Sequence, residues 1–111
     1  MSIFKELKAA LEETGLPVYR DFYDGDKTAY IVINIFDERP AVCGDGDDEV
    51  FSVMLDVDLW CRSDPTEYKK KIRKILRKQN YAIQSINNFY EDKVDYYHTV
   101  FRCEIEREAD D

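Results

Sequence analysis

Asp56 and Asp58 stand two apart in "VFSVMLDVDLWCR", a stretch that alternates apolar and polar residues. Side chains alternate across a strand, so both carboxylates point to one face. Paired carboxylates can hold a metal or do acid–base work. His98, the single histidine, and Arg102 share a face of a later strand pattern and can approach them. A cross-strand charge pair accounts for Arg102 more simply, and Asp is ordinary on the polar side of a half-buried sheet. A metal-dependent reaction through Asp56, Asp58 and His98 would be lost in Asp58→Asn. No nucleophilic Ser or Cys motif accompanies His98, so no triad is drawn.

The other chemistry-bearing residues are weaker signals. Cys43, Cys61 and Cys103 are an odd number with no CxxC, which argues against a disulfide framework and for a reducing compartment. Nothing in their spacing joins them to His98 as a zinc site. "GDGDDE", residues 44–49, lacks the ligand spacing of a calcium loop and reads as an acidic surface loop. No GxGxxG and no P-loop occurs. The expectation is therefore a protein without a catalytic site, cofactor, metal or small-molecule substrate.

The strongest feature is electrostatic. "KKKIRKILRK", residues 69–78, carries seven basic residues and no acidic one, in a chain of formal net charge −8. The rest of the chain holds nine basic and 24 acidic residues, a balance of −15. A nucleic acid would meet one positive stripe on a repelling body. The stripe also lacks base-reading Asn or Gln at its start and has no interleaved aromatic platform. Two further readings are a solvated helix face, and an interface in which the basic helix of one subunit meets acidic residues of the next, a heterologous contact that generates rings. The candidate interface residues are Asp37, Glu38, Arg39, Asp45, Asp47 and Asp48 on the acidic side and Lys70, Arg73, Lys74, Arg77 and Lys78 on the basic side.

The elements that must position these residues follow from periodicity. At 111 residues the chain is read as one domain, residues 1–111, large enough for a core without staples. Apolar content of 44% argues against disorder despite 36% charged residues. "MSIFKELKAALEE" lacks the apolar core of a secretory leader, and no apolar run reaches membrane-spanning length. The expectation is a soluble protein made inside a cell, away from membranes.

Ile3, Phe4, Leu7, Ala10, Leu11 and Thr14 make one helical stripe, with Ser2 as N-cap and Gly15 as left-handed stop. "LPVYRDFY" reads as a short strand and residues 24–26 as a turn. Residues 29–36 form a strand apolar on both faces, which makes it central or partner-facing. Residues 37–49 read as a loop of about a dozen residues. Residues 50–62 alternate as a strand. A second helix starts with Asp64 as N-cap, Pro65 in the first position and Glu67 closing a capping box, and ends near Asn80. Its apolar stripe is Tyr68, Ile72, Ile75 and Leu76. A strand from Tyr81, a turn around Asn87 and Asn88, a long alternating strand to Glu108 and a frayed "ADD" tail complete the order α-β-β-β-α-β-β. Two helices with one-sided stripes covering one face of a mostly antiparallel sheet make a two-layer α+β domain.

The sequence also resembles the tail-completion, or tail-terminator, proteins of phages and prophages. The likeness lies in the order of several pieces. These are "GLPV" at Gly15 to Val18, Asp37-Glu38-Arg39-Pro40, the acidic loop, the Lys-rich helix, Tyr90-Glu91-Asp92 and Tyr96-Tyr97-His98. The resemblance covers most of the chain. It implies a non-enzymatic α+β virion subunit that forms a ring, commonly a hexamer. Such a ring caps the tail tube and joins it to the head connector, after assembly in the bacterial cytoplasm. DNA would pass through its lumen. The alternative from the residues alone is a small nucleic-acid-binding or regulatory accessory protein using residues 69–78.

Overall fold

The computed structural model describes residues 2–42 and 50–108. Cys43, the residues 44–49 that raised calcium, and the 109–111 tail lie outside the described residues, as do Asp45, Asp47 and Asp48.

Helix α1 (Ile3–Leu11) begins at Ser2, whose Oγ accepts from the Lys5 N–H at 3.2 Å. A 3₁₀ turn follows and stops at Gly15, which takes φ 88°. Thr14 completes the apolar stripe because its hydroxyl donates to the Leu11 carbonyl at 2.7 Å and accepts from the Leu16 N–H at 3.2 Å. A buried hydroxyl so paired carries little desolvation cost. Strand β1 is only Val18–Arg20, shorter than the sequence suggests, and runs parallel to β2.

Strand β2 spans Ala29–Val42, so residues 37–42, expected in a loop, are strand. Asp37, Glu38, Arg39 and Pro40 pair with Met54, Val53, Ser52 and Phe51 of β3 (Val50–Cys61), past a register shift between Ile35 and Asp37. The charged stretch misled because this edge of β2 extends beyond β1, and a solvated edge strand needs no apolar alternation. Proline is tolerated there for the same reason.

Helix α2 (Thr66–Lys78) starts one position later than expected. The Asp64 carboxylate still serves its first turn, accepting from the Thr66 N–H at 3.0 Å and the Thr66 hydroxyl at 2.6 Å. Those bonds lower the Asp64 pKa. Glu67 does not close a capping box; its carboxylate lies 3.7 Å from Lys70 Nζ. Asn80, at φ 70°, ends the helix. Strand β4 (Ala82–Glu91) runs through Asn87 and Asn88, which pair with Val100 and Thr99. The expected turn there is instead residues 92–95, before β5 (Tyr96–Glu108). Two adjacent asparagines resemble a turn, but Asn88 is held in the strand by side-chain bonds from Lys69 and Thr99, at 2.8 and 3.0 Å.

The five strands lie in the order β1-β2-β3-β5-β4, antiparallel except for β1 with β2. Both helices pack on one face, giving the two-layer α+β fold. Leu7 and Leu11 of α1 and Ile72 and Leu76 of α2 close over Ile31 and Ile33, Leu55, Val57 and Leu59, and Phe101 and Cys103. Each such side chain contributes roughly 1.5–3 kcal/mol when fully buried. Burial pushes the Cys103 thiol up to about 12, so it is an inert core group. Cys61 and Cys103 are both free and buried.

Candidate functional site

Two surfaces concentrate chemistry, and they lie on opposite sides of the molecule. The first is the outer face of α2. Lys70, Lys71, Lys74, Arg77 and Lys78 are exposed and Arg73 is half-buried. Lys69 is committed elsewhere: its ammonium bonds Asn88 and ties α2 to β4. A nucleic-acid footprint that counts Lys69 therefore loses one of its contacts. Glu67 is the only acid facing this row of cations from the helix itself.

The second surface is the sheet face away from the helices, which no helix covers and on which the loop before β2 packs in part. Register rows run straight across it. Tyr30 pairs with Trp60, Trp60 with His98, and His98 with Phe89, an aromatic row over four strands. Trp60 stacks on His98 with centroids 3.7 Å apart and planes within 13°. Tyr30 lies 6.2 Å from Trp60 and 6.0 Å from Tyr96. Tyr23 adds itself from the loop before β2, 4.6 Å from Tyr30 and stacked on Tyr19 at 4.3 Å. The sequence expectation of a β2 apolar on both faces is met by this second cluster of Tyr30, Val32 and Tyr96.

The polar residues of this face answer the opening question about Asp56, Asp58, His98 and Arg102. Asp56 and Arg102 are register partners, and the guanidinium grips the carboxylate through two bonds of 2.9 and 3.0 Å. That pairing raises the Arg102 pKa. Arg102 also lies over the Phe36 ring at 4.6 Å. His98 Nε2 is 3.2 Å from Asp58 Oδ2, and its Nδ1 is 3.7 Å from Glu91 Oε2. The carboxylates sit on opposite ring nitrogens, so no single ion can be ligated by all three. Among the described residues no cluster of three His, Cys, Asp or Glu is placed to hold a metal. Asp56 and Asp58 are thus divided between two separate pairs. One atom is left over: Asp58 Oδ1 is buried and has no hydrogen-bond partner.

The interface residues named from sequence fall into place unevenly. Asp37 and Arg39 lie on the open face and pair with each other at 2.8 Å, whereas Glu38 points to the helix side. Among the described residues no ion pair joins them to α2 within one copy. What sequence reading missed is the gathering of Tyr19, Tyr23, Tyr30, Trp60 and Tyr96. They come from five separate stretches, and no spacing rule connects them.

No helix among the described residues is long and apolar enough to cross a membrane. This two-layer architecture is shared with a solved structure, titled "Virion of native gene transfer agent (GTA) particle". The match covers 96% of this chain and 92% of that chain, with a TM-score of 0.57 and 14% sequence identity. At that identity the likeness is one of fold. No protein-family model and no curated protein sequence matches the chain.

Proposed function

We propose that this chain is a structural subunit of a phage-like virion, of the tail-terminator type. It would cap the tail tube, join it to the head connector and assemble as a ring of about six copies at the head–tail junction. The observation that carries this reading is the near end-to-end fold match with a chain of a gene transfer agent virion. The charge layout supports assembly. α2 offers cations on one side of the molecule. The open sheet face offers Asp37, Asp56, Asp58, Glu91, Glu104 and Glu106 on the other, against Arg39 and Arg102. Unlike surfaces on opposite sides make a head-to-tail contact, which closes into a ring when the rotation permits.

The test is solution mass by light scattering at low and high salt. A hexamer-sized species at low salt, shrinking as salt screens the contact, is expected. Lys70→Glu, Lys74→Glu and Lys78→Glu together should reduce it to monomer with unfolding behaviour unchanged. A monomer under both conditions overturns self-assembly. A mass unaffected by the triple reversal overturns the α2 interface. In the particle, omitting the chain should leave heads without joined tails. The exposed cations of α2 also support a second reading, binding to duplex DNA. It predicts affinity that falls steeply with salt and is lost in the same triple variant.

A further inference from the structure

Asp58 also helps line a cavity of about 150 Å³ on the open face, together with Asp21, Phe22, Tyr23, Tyr30, Val32 and Trp60. At roughly 30 Å³ per water, that volume equals about five waters. Its walls are aromatic and its polar groups are acidic. Such a pocket suits one chemical class: an organic cation, attracted to the negative faces of the rings and paired by the carboxylate. A neutral apolar guest would pair with neither acidic side chain, and an anion would be repelled by Asp21 and Asp58.

The pocket is built before any guest arrives. Tyr23 forms one wall, and its phenol oxygen accepts from the Lys27 N–H at 3.2 Å. A Cβ on Gly25 would overlap that phenol, so the glycine makes room for the ring. Tyr96 donates to the Lys27 carbonyl at 2.5 Å and pins the same loop to β5. Asp58 Oδ2 lies 3.2 Å from His98 Nε2, which fixes the carboxylate in the cavity wall. The same face already holds cations over rings elsewhere, with Arg62 over Tyr96 at 4.8 Å and Arg102 over Phe36 at 4.6 Å.

We propose that this aromatic cavity is the receptor for a lysine side chain, and that the lysine comes from α2 of a second copy. The occupant is argued from charge complementarity. Lys70, Lys71 and Lys74 are exposed on a helix whose outer face carries one acid, and the cavity lies on the opposite, acidic side of the molecule. The source of the lysine rests on the self-assembly reading above; the cavity's preference for a cation does not.

The experiment uses Trp60, the only tryptophan in the chain, as a reporter in the cavity wall. n-Butylammonium chloride, which reproduces the lysine side chain, is titrated into the protein under conditions that keep it monomeric. Matched sodium chloride serves as the control. A saturable change in Trp60 emission is expected, with half-saturation on the order of millimolar, as for a single small contact. It should weaken at least about tenfold in Asp58→Asn, a loss of roughly 1.4 kcal/mol. Asp56→Asn, outside the cavity, should leave it unchanged. Phe22→Ala at the exposed mouth gives a second variant that does not touch the core, and it too should weaken binding. No saturable response, or a response unmoved by both Asp58→Asn and Phe22→Ala, overturns the cavity as a cation receptor. A normal probe response with an oligomer mass unaltered by Asp58→Asn overturns α2 of a second copy as the source. A chain that stays monomeric at all salts overturns the ring, while the probe still decides the cavity.

Discussion

Under the helices β3 presents Val53, Leu55, Val57 and Leu59; on the other side the same strand presents Ser52, Met54, Asp56, Asp58 and Trp60. The two faces come from one alternating sequence but differ in kind. The covered face is mainly aliphatic and closed, with Leu55, Val57 and Leu59 fully buried. The open face is aromatic and charged; Tyr30 and Tyr96 are buried in its own small cluster, but towards the edges Phe89 is 51% exposed and Phe36 44%. Aliphatic packing stabilises by excluding water and gains nothing from specificity. Aromatic rings with acids among them keep a polar handle for a partner. The difference separates stability from recognition within a single sheet.

The sharpest way to break that separation is to remove the same side chain from each face. Phe101→Ala, in the covered core, should cost about 3–5 kcal/mol in chemical denaturation. Phe89→Ala, on the open face of the adjacent strand, should stay within about 0.5 kcal/mol. Similar losses from both would mean that the open face is a second core. A smaller effect is expected from Gly25→Ala. The added methyl displaces Tyr23 from its stack on Tyr19 and its bond with Lys27, costing about 1 kcal/mol and moving Trp60 emission to the red. Unchanged emission would show that Tyr23 does not wall the aromatic face.

The smallest effect is a titration. Burial pushes the Tyr81 phenol, on the covered side, up to about 12 from its ordinary 10.0. The folded chain holds this proton more tightly than the unfolded chain. The contribution of Tyr81 to stability is therefore intact below pH 10 and is lost as pH rises through about 12. Tyr30, on the open face, is raised by burial and then by Tyr96 and Tyr23. Ultraviolet titration should show a late phenol step that disappears in Tyr81→Phe. A late step that persists in that variant assigns it to Tyr30, or to Tyr90, which its bond with Asp95 also raises.

The alternation of β3 and β5 made the covered core and the α+β layering legible in the sequence, because burial on one face imposes period two. A cross-strand charge pair for Arg102 was legible too, since strand parity puts it on the face of Asp56 and Asp58; the register that makes Asp56 its partner was not. Residues 37–42 were not, because Asp37, Glu38, Arg39 and Pro40 lie on a solvated edge where no periodic burial marks a strand. Asn87 and Asn88 misled for a related reason: β4 is the other edge, and its asparagines satisfy Lys69 and Thr99 instead of forming a turn. The cavity was beyond reach, since Tyr23, Tyr30, Asp58 and Trp60 meet only through sheet order and a loop that Gly25 allows to close.

The strand order has a consequence for synthesis. β5, at residues 96–108, is made after the other four strands of this sheet yet sits between β3 and β4. Until it leaves the ribosome, β3 has one bare edge and β4 has no sheet to join. Phe101, Cys103 and Ile105 are likewise missing from beneath the helices. A nascent chain stalled before residue 96 can form only the β1-β2-β3 portion, with its core open to water. Such a fragment should be a chaperone client and a protease substrate. Quality control is thereby written into the topology: only a chain translated through β5 closes the sheet and completes both of its faces.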